Sequence, residues 1–197
     1  AEQLNAAVAK AVVDLGKIDI LVNNAGGVYT SVYALEDMPE KDWDSQIHLN
    51  LKSVFLCSQA VIQTMFNQGR GKIINIGSAG GFHAINGIAP YNAAKAGIHN
   101  LTRQMAIEWG PHGIWTNGIA PGGVHTYSAA IHKEYRIQRG LEYAQLPDCE
   151  TDSPPVNYCR AQPEEYAPIA LFLASPASNH LTGEILSPGG VALRRTG

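Results

Sequence analysis

Apolar positions along the chain follow two alternating periods. Leu4, Ala7, Val8, Ala11, Val12 and Leu15 recur at helical spacing, with Gly16 as the stop. The next segment, Ile18 to Val22, is a short, nearly continuous apolar run ending in Asn23-Asn24-Ala25-Gly26-Gly27, the signature of a buried parallel strand and a tight turn. A second helical region opens at Pro39, places Ile47, Leu51, Val54, Phe55, Ser58, Val61, Ile62 and Met65 on one face, and closes at Gly69 and Gly71. Lys72 to Gly77 reads as the second strand, Tyr91 to Glu108 as the third helix, halted by Gly110-Pro111, and Ile114 to Ala120 as the third strand, broken by Pro121-Gly122-Gly123. From about His125 to Pro163 the periodicity weakens and Pro147, Pro154 and Pro155 cluster, as expected of a substrate lid. Pro163 to Ala174 is a last helix, with Glu164 and Glu165 at its positive end, and Gly183 to Leu186 a last short strand. Alternating helices and apolar strands predict an α/β fold, a doubly wound parallel sheet of Rossmann-like kind with helices on both faces. Ligands then belong in the crevice beyond the carboxyl ends of the strands.

Size and charge narrow the partners. The 197 residues suit a single domain, and such a domain buries roughly 70% of its unfolded surface. A composition of 45% apolar and 16% charged residues rules out the disordered class. Net charge is −3 with no basic block, which argues against a nucleic-acid partner. Cys57, Cys149 and Cys159 form no C-x-x-C pair, so neither a disulfide framework nor a thiolate zinc site is expected, and a reducing compartment such as the cytoplasm is the simpler setting. Seven scattered histidines give no metal motif, and no apolar run is long enough to cross a membrane.

Unusual residues gather at the predicted carboxyl ends: Asn23 to Gly27 after the first strand, Ser78 after the second, Pro121 to Gly123 after the third. Tyr91 and Lys95 stand four positions apart and share a helix face, where an ammonium favours a phenolate. A phenol has a reference pKa near 10 and exchanges protons poorly at neutral pH unless nearby charge lowers it. Alone, such a pair is an ordinary solvated one. Here it opens a helix rich in small residues (Ala93, Ala94, Ala96, Gly97) and follows Ser78 by 13 positions.

With those residues in place, the chain resembles the short-chain dehydrogenases/reductases of the roughly 250-residue kind. The likeness runs through Asn23-Asn24-Ala25-Gly26, Asn50, Ser78, the Tyr91/Lys95 pair, and Pro121-Gly122 with Thr126. It implies an oxidoreductase that interconverts an alcohol and a ketone or aldehyde with NAD or NADP, the hydride chemistry being the cofactor's. Tyr91 would exchange a proton with the substrate oxygen, Ser78 hydrogen-bond that oxygen, Lys95 lower the tyrosine pKa and hold the nicotinamide ribose, and Asn50 position a water. The cofactor would rest against Asn23, Ala25, Gly26, Tyr91, Lys95, Pro121 and Gly122, its carboxamide against Val124 and Thr126. A small-molecule substrate and a homo-oligomer, dimer or tetramer, through the long helices are also implied.

Two departures accompany the likeness. The family's phosphate-binding turn, T-G-x-x-x-G-x-G, is absent, and roughly 70 N-terminal residues of the pattern have no counterpart. The expectation is therefore a chain lacking its N-terminal cofactor-binding segment, starting at Ala1 inside a helix and leaving Ile18 to Val22 as an apolar, aggregation-prone edge. In Ser187-Pro188-Gly189-Gly190 a proline precedes the paired glycines where the family carries an aspartate. Competing readings are a truncated, inactive relative serving as a subunit or binding partner, and a nucleotide-sugar epimerase or dehydratase, which the Asn23 to Gly26 turn disfavours. The lid has no specificity signature; His83, Asn86, Tyr127 and Tyr143 are candidate pocket residues.

Overall fold

Four parallel strands run in the order β1-β2-β3-β4: β1 (Ile20–Asn23), β2 (Gly71–Ile76), β3 (Ile114–Ile119) and β4 (Ile185–Leu186). They belong to a computed structural model that describes residues 2–29, 32–126, 137 and 161–188. The helices are α1 (Glu2–Leu15), α2 (Glu40–Ile47), α3 (Ser53–Gln68), α4 (Ala89–Trp109) and α5 (Ala167–Ala174). Parallel neighbours need crossovers, and α2 with α3 and then α4 supply them. Pairing of Val22 with Ile74 and of Asn75 with Gly118 aligns the strand ends that carry Asn23, Ser78 and Pro121.

Alternation along β2 divides the core. Ile73 packs with Val61, Met65 and Ile114 beneath α3, whereas its neighbour Ile74 packs with Ile119 and Leu173 beneath α5. Each such buried side chain contributes roughly 1.5–3 kcal/mol. Helices on both faces of a parallel sheet make the Rossmann-like architecture expected from the alternating pattern.

The strand β1 lies at the sheet edge. Ile20 is 44% and Val22 48% exposed, while Leu21 on the opposite side packs into the α3 core. The apolar edge expected from the sequence is thus present, and it is the α5 side of β1 that lacks cover.

Several boundaries differ from those expected. The apolar stripe of α1 is not buried: Leu15 is exposed and Leu4, Val8, Ala11 and Val12 are only half-buried, because α1 packs chiefly on α3. The region from Pro39 to Met65 is not one regular helix, since a π-helical turn, His48–Lys52, joins α2 to α3 where Asn50 bonds across to Gly27. Helix α4 starts earlier, with Pro90 in its first turn, and the last helix opens with a 3-10 turn, Pro163–Tyr166. Gly69 closes α3 in the left-handed region at φ 66°, as a C-terminal glycine should. Most of the expected lid, with Tyr127 and Tyr143, lies outside the described residues, as do Gly189 and Gly190. Its two ends are tied together, His125 N–H donating to Ala161 O at 3.0 Å and Ala161 N–H to Gly123 O at 3.0 Å.

Candidate active site

The end of β2 and the start of α4 face each other. Ser78 is extended, its Oγ accepting from Gly80 N–H at 3.1 Å, and its side chain lies close enough to the half-buried Tyr91 to favour the phenolate. Lys95, only 4% exposed, donates to Ile76 O at 2.8 Å and stands 5.5 Å from the centre of the Tyr91 ring. Three of the four expected catalytic residues therefore meet at one point.

Electrostatics at that point differ from the sequence expectation. Burial raises the Tyr91 pKa above its ordinary value near 10, with the Ser78 hydrogen bond acting in the opposite sense. Lys95 does not bring the phenol down here, because the same burial lowers the lysine itself, to about 8. Desolvation penalises the charged form of both groups.

The fourth residue, Asn50, is fully buried in the π-helical turn and holds the turn after β1. Its Oδ1 accepts from Gly27 N–H at 2.9 Å, and its Nδ2 donates to Gly27 O at 3.1 Å, Gln46 O at 3.1 Å and Gln46 Oε1 at 3.0 Å. The carboxamide thus bonds protein groups at both ends. Gly26 lies between Asn50 and the lysine: a Cβ there would stand 2.7 Å from Asn50 Oδ1 and 3.5 Å from Lys95 Nζ, at φ 155°. Only a residue without a side chain brings backbone this close to both.

Asn23 is placed elsewhere. Its Nδ2 donates to Ser58 Oγ at 3.0 Å and Asn75 Oδ1 at 2.8 Å, so the side chain lies in the core and not in the crevice. Asn24 and Ala25 are exposed at the mouth. Pro121 joins the serine turn through Ala79 N–H, which donates to Pro121 O at 2.8 Å, and the buried Tyr166 hydroxyl lies near the Gly122 backbone without a hydrogen-bond partner among the described residues. Val124 bridges to Ala161 at the root of the lid segment, and Thr126 is exposed beside it. His83 and Asn86 are exposed. A hollow of about 320 Å³, lined by Asp19, Arg70, Lys72 and Trp115 among others, opens at the amino ends of the strands, away from this centre.

Gln46, Tyr166 and His99 escaped the sequence reading. Gln46 precedes Asn50, and His99 follows Lys95, by four positions on helical backbone, a spacing that placed both within reach of detection. Tyr166 offered no such signal.

A family model, short chain dehydrogenase, matches residues 1–136. The chain belongs to the short-chain dehydrogenase family. The chain is 40% identical to the gluconate 5-dehydrogenase of Gluconobacter oxydans over 177 residues, covering 90% of the chain and 65% of that protein. It is 39% identical to the 3-oxoacyl acyl-carrier-protein reductase FabG of Vibrio cholerae, covering 93% of the chain and 70% of the relative. Among solved structures, a short-chain type dehydrogenase/reductase from Mycobacterium marinum superposes with a TM-score of 0.83 at 32% identity, over 98% of this chain and 72% of the other. A gluconate 5-dehydrogenase from Burkholderia cenocepacia, in complex with NADP and tartrate, gives 0.80 at 34% identity, over 96% and 71%. The chain thus spans about two thirds of the length of these curated relatives. Among its described residues no helix is long and apolar enough to cross a membrane.

Proposed function

We propose that this chain carries the reaction centre of an NAD- or NADP-dependent oxidoreductase interconverting an alcohol and a ketone or aldehyde, with Tyr91 as general acid and base. The observation that carries the reading is one buried corner holding a phenol, its serine partner and a lysine ammonium, beside a glycine turn open to backbone approach.

The residues present fit the nicotinamide end of such a cofactor. Lys95 has hydrogens beyond the one given to Ile76 O and lies near Gly26, a donor set suited to a ribose diol. Tyr91 is its neighbour, and the Ala25–Gly26 backbone, Pro121–Gly122, Val124 and Thr126 border the same strand ends, which is where open α/β sheets take ligands. For Asn23 only the backbone is available to a ligand. When bound, the cofactor supplies the hydride acceptor, or the donor in the reverse direction.

The chain's own part is proton exchange and orientation. Ser78 orients the substrate oxygen and the phenol toward each other. Tyr91 gives its proton to that oxygen in reduction and takes it back in oxidation. Burial raises the phenol's pKa, so the protonated form that can donate to a carbonyl oxygen is the one favoured here. Lys95 would hold the nicotinamide ribose beside the phenol, and Asn50 keeps the Gly26–Gly27 turn in place through its bonds to Gly27. Likeness to gluconate 5-dehydrogenases favours polar, hydroxylated substrates such as sugar acids.

The test uses the full chain with NADH and NADPH, read by nucleotide fluorescence, followed by oxidation of the reduced nucleotide with a panel of keto sugar acids and simple ketones. Weak nucleotide binding is expected from these 197 residues, which carry no T-G-x-x-x-G-x-G phosphate turn, and Tyr91→Phe should lower any turnover about 10²–10⁴-fold with that binding retained. Turnover undiminished in Tyr91→Phe would overturn the role of the phenol. Absence of any nucleotide signal would favour a subunit or binding-partner role.

A further inference from the structure

The face of α4 that presents Tyr91 and Lys95 continues, one turn on, to His99. The imidazole is 3% exposed and packs under the turn that carries Ser78. A Cβ at Gly77 would collide with His99 Nε2, and one at Gly81 would stand 2.5 Å from Cε1 and 2.9 Å from Nδ1. The two glycines bracketing Ser78 therefore close directly over the ring. Phe82 covers it from outside, ring centres 4.4 Å apart and tilted by 40°. Among the described residues neither nitrogen has a hydrogen-bond partner. Burial, with Arg103 and Lys95 adding like charge, lowers its pKa to about 4, so the ring is neutral at physiological pH.

A buried imidazole with both nitrogens unbonded is an expensive space-filler, since an apolar ring or a leucine would occupy the hollow without stranding polar atoms. Its placement against the backbone on either side of one reacting residue points to that residue.

We propose that His99 is a positioning residue, a neutral wedge beneath the Gly77–Gly81 turn that sets the Ser78 hydroxyl against the Tyr91 phenol. The proposal rests on the reading of Ser78 and Tyr91 as the reacting pair. Shrinking the wedge lets the turn settle toward α4 and draws the serine away from the phenol; filling the hollow with an aliphatic group shifts the turn through a different shape. Either way the hydrogen bond that favours the phenolate weakens.

The experiment is an NMR titration of the full chain labelled with ¹³C at the tyrosine ζ carbon, the Tyr91 signal being assigned by its loss in Tyr91→Phe. Ser78→Ala should raise the Tyr91 pKa by roughly 0.5 to 1, the worth of one hydrogen bond. His99→Ala and His99→Leu should each raise it by a similar amount, and neither should raise it further when Ser78 is already alanine. A merely structural histidine would lower the thermal midpoint yet leave the Tyr91 titration alone, or shift it equally in both backgrounds. Either of those results overturns the proposal. If Ser78→Ala itself leaves Tyr91 unmoved, the Ser78–Tyr91 reading fails first, so the two failures are told apart. His99→Leu fills the hollow and keeps the test decisive if His99→Ala does not fold.

Discussion

Two polar clusters lean on the same helix, seven residues apart, and they are built to opposite rules. Around Thr102, side chains from four elements bond to one another and to groups of α4 itself. Asn23 Nδ2 donates to Ser58 Oγ and Asn75 Oδ1, Asn75 Nδ2 to Thr102 Oγ1 at 2.9 Å, and Thr102 Oγ1 to Ile98 O at 2.8 Å. All four residues are buried. Around Lys95, where His99 is as deeply placed and Tyr91 half-buried, Lys95 gives one hydrogen bond to Ile76 O, His99 gives none, and burial raises the Tyr91 pKa. The first cluster spends its donors on holding β1, β2, α3 and α4 together. The second keeps polar capacity buried and in reserve, which costs stability and is useful only where something else binds.

Breaking the satisfied cluster should have the largest effect on folding. Asn75→Ala strands the Asn23 amide and removes an acceptor from the centre of the core. A loss on the order of 4 kcal/mol in denaturant unfolding is expected, with nucleotide titration unchanged in the fraction that stays folded. A parallel loss of nucleotide affinity would mean that the clusters are one unit.

Breaking the unsatisfied cluster should act in the opposite direction. The folded Lys95 pKa, about 8, lies below the ordinary 10.5, so between those values the unfolded chain binds more protons and stability rises with pH. Lys95→Met should lack that rise: relative to it, wild type should gain on the order of 3 kcal/mol from pH 8 to 10.5. Urea midpoints across that window test the claim, and a difference that is flat with pH would sink it. Near neutrality the variant should be no less stable than wild type while catalysis is lost.

The smallest expected effect sharpens the contrast. Ser58→Ala removes one acceptor at the margin of the satisfied cluster and should cost about 1 kcal/mol, with no change in the Tyr91 titration.

Much of this was legible in the chain. The helices follow from the 3.6-residue period and the strands from short continuous apolar runs, whereas the edge position of Ile18 to Val22 is expected only from the family pattern. Tyr91 and Lys95 are neighbours by helical spacing alone, and Ser78 falls at a strand end. What escaped were bonds between positions distant in sequence. Asn50 reaches Gly27, 23 residues back, and its π-helical turn has no signature in the apolar pattern. Asn23 and Asn24 are the same residue type side by side, and only the pleat decides that one enters the core while the other meets solvent.

By itself, then, the sequence determined the order of elements, the parallel sheet and the stripe of phenol and ammonium on α4, because each depends on spacings of a few residues that the backbone geometry converts directly into faces. Tertiary structure alone decided which polar side chains were satisfied and how strongly each ionisable group was desolvated. Those quantities depend on everything packed around a group, and here they raise the tyrosine, lower the lysine, and place an unbonded imidazole under the serine turn.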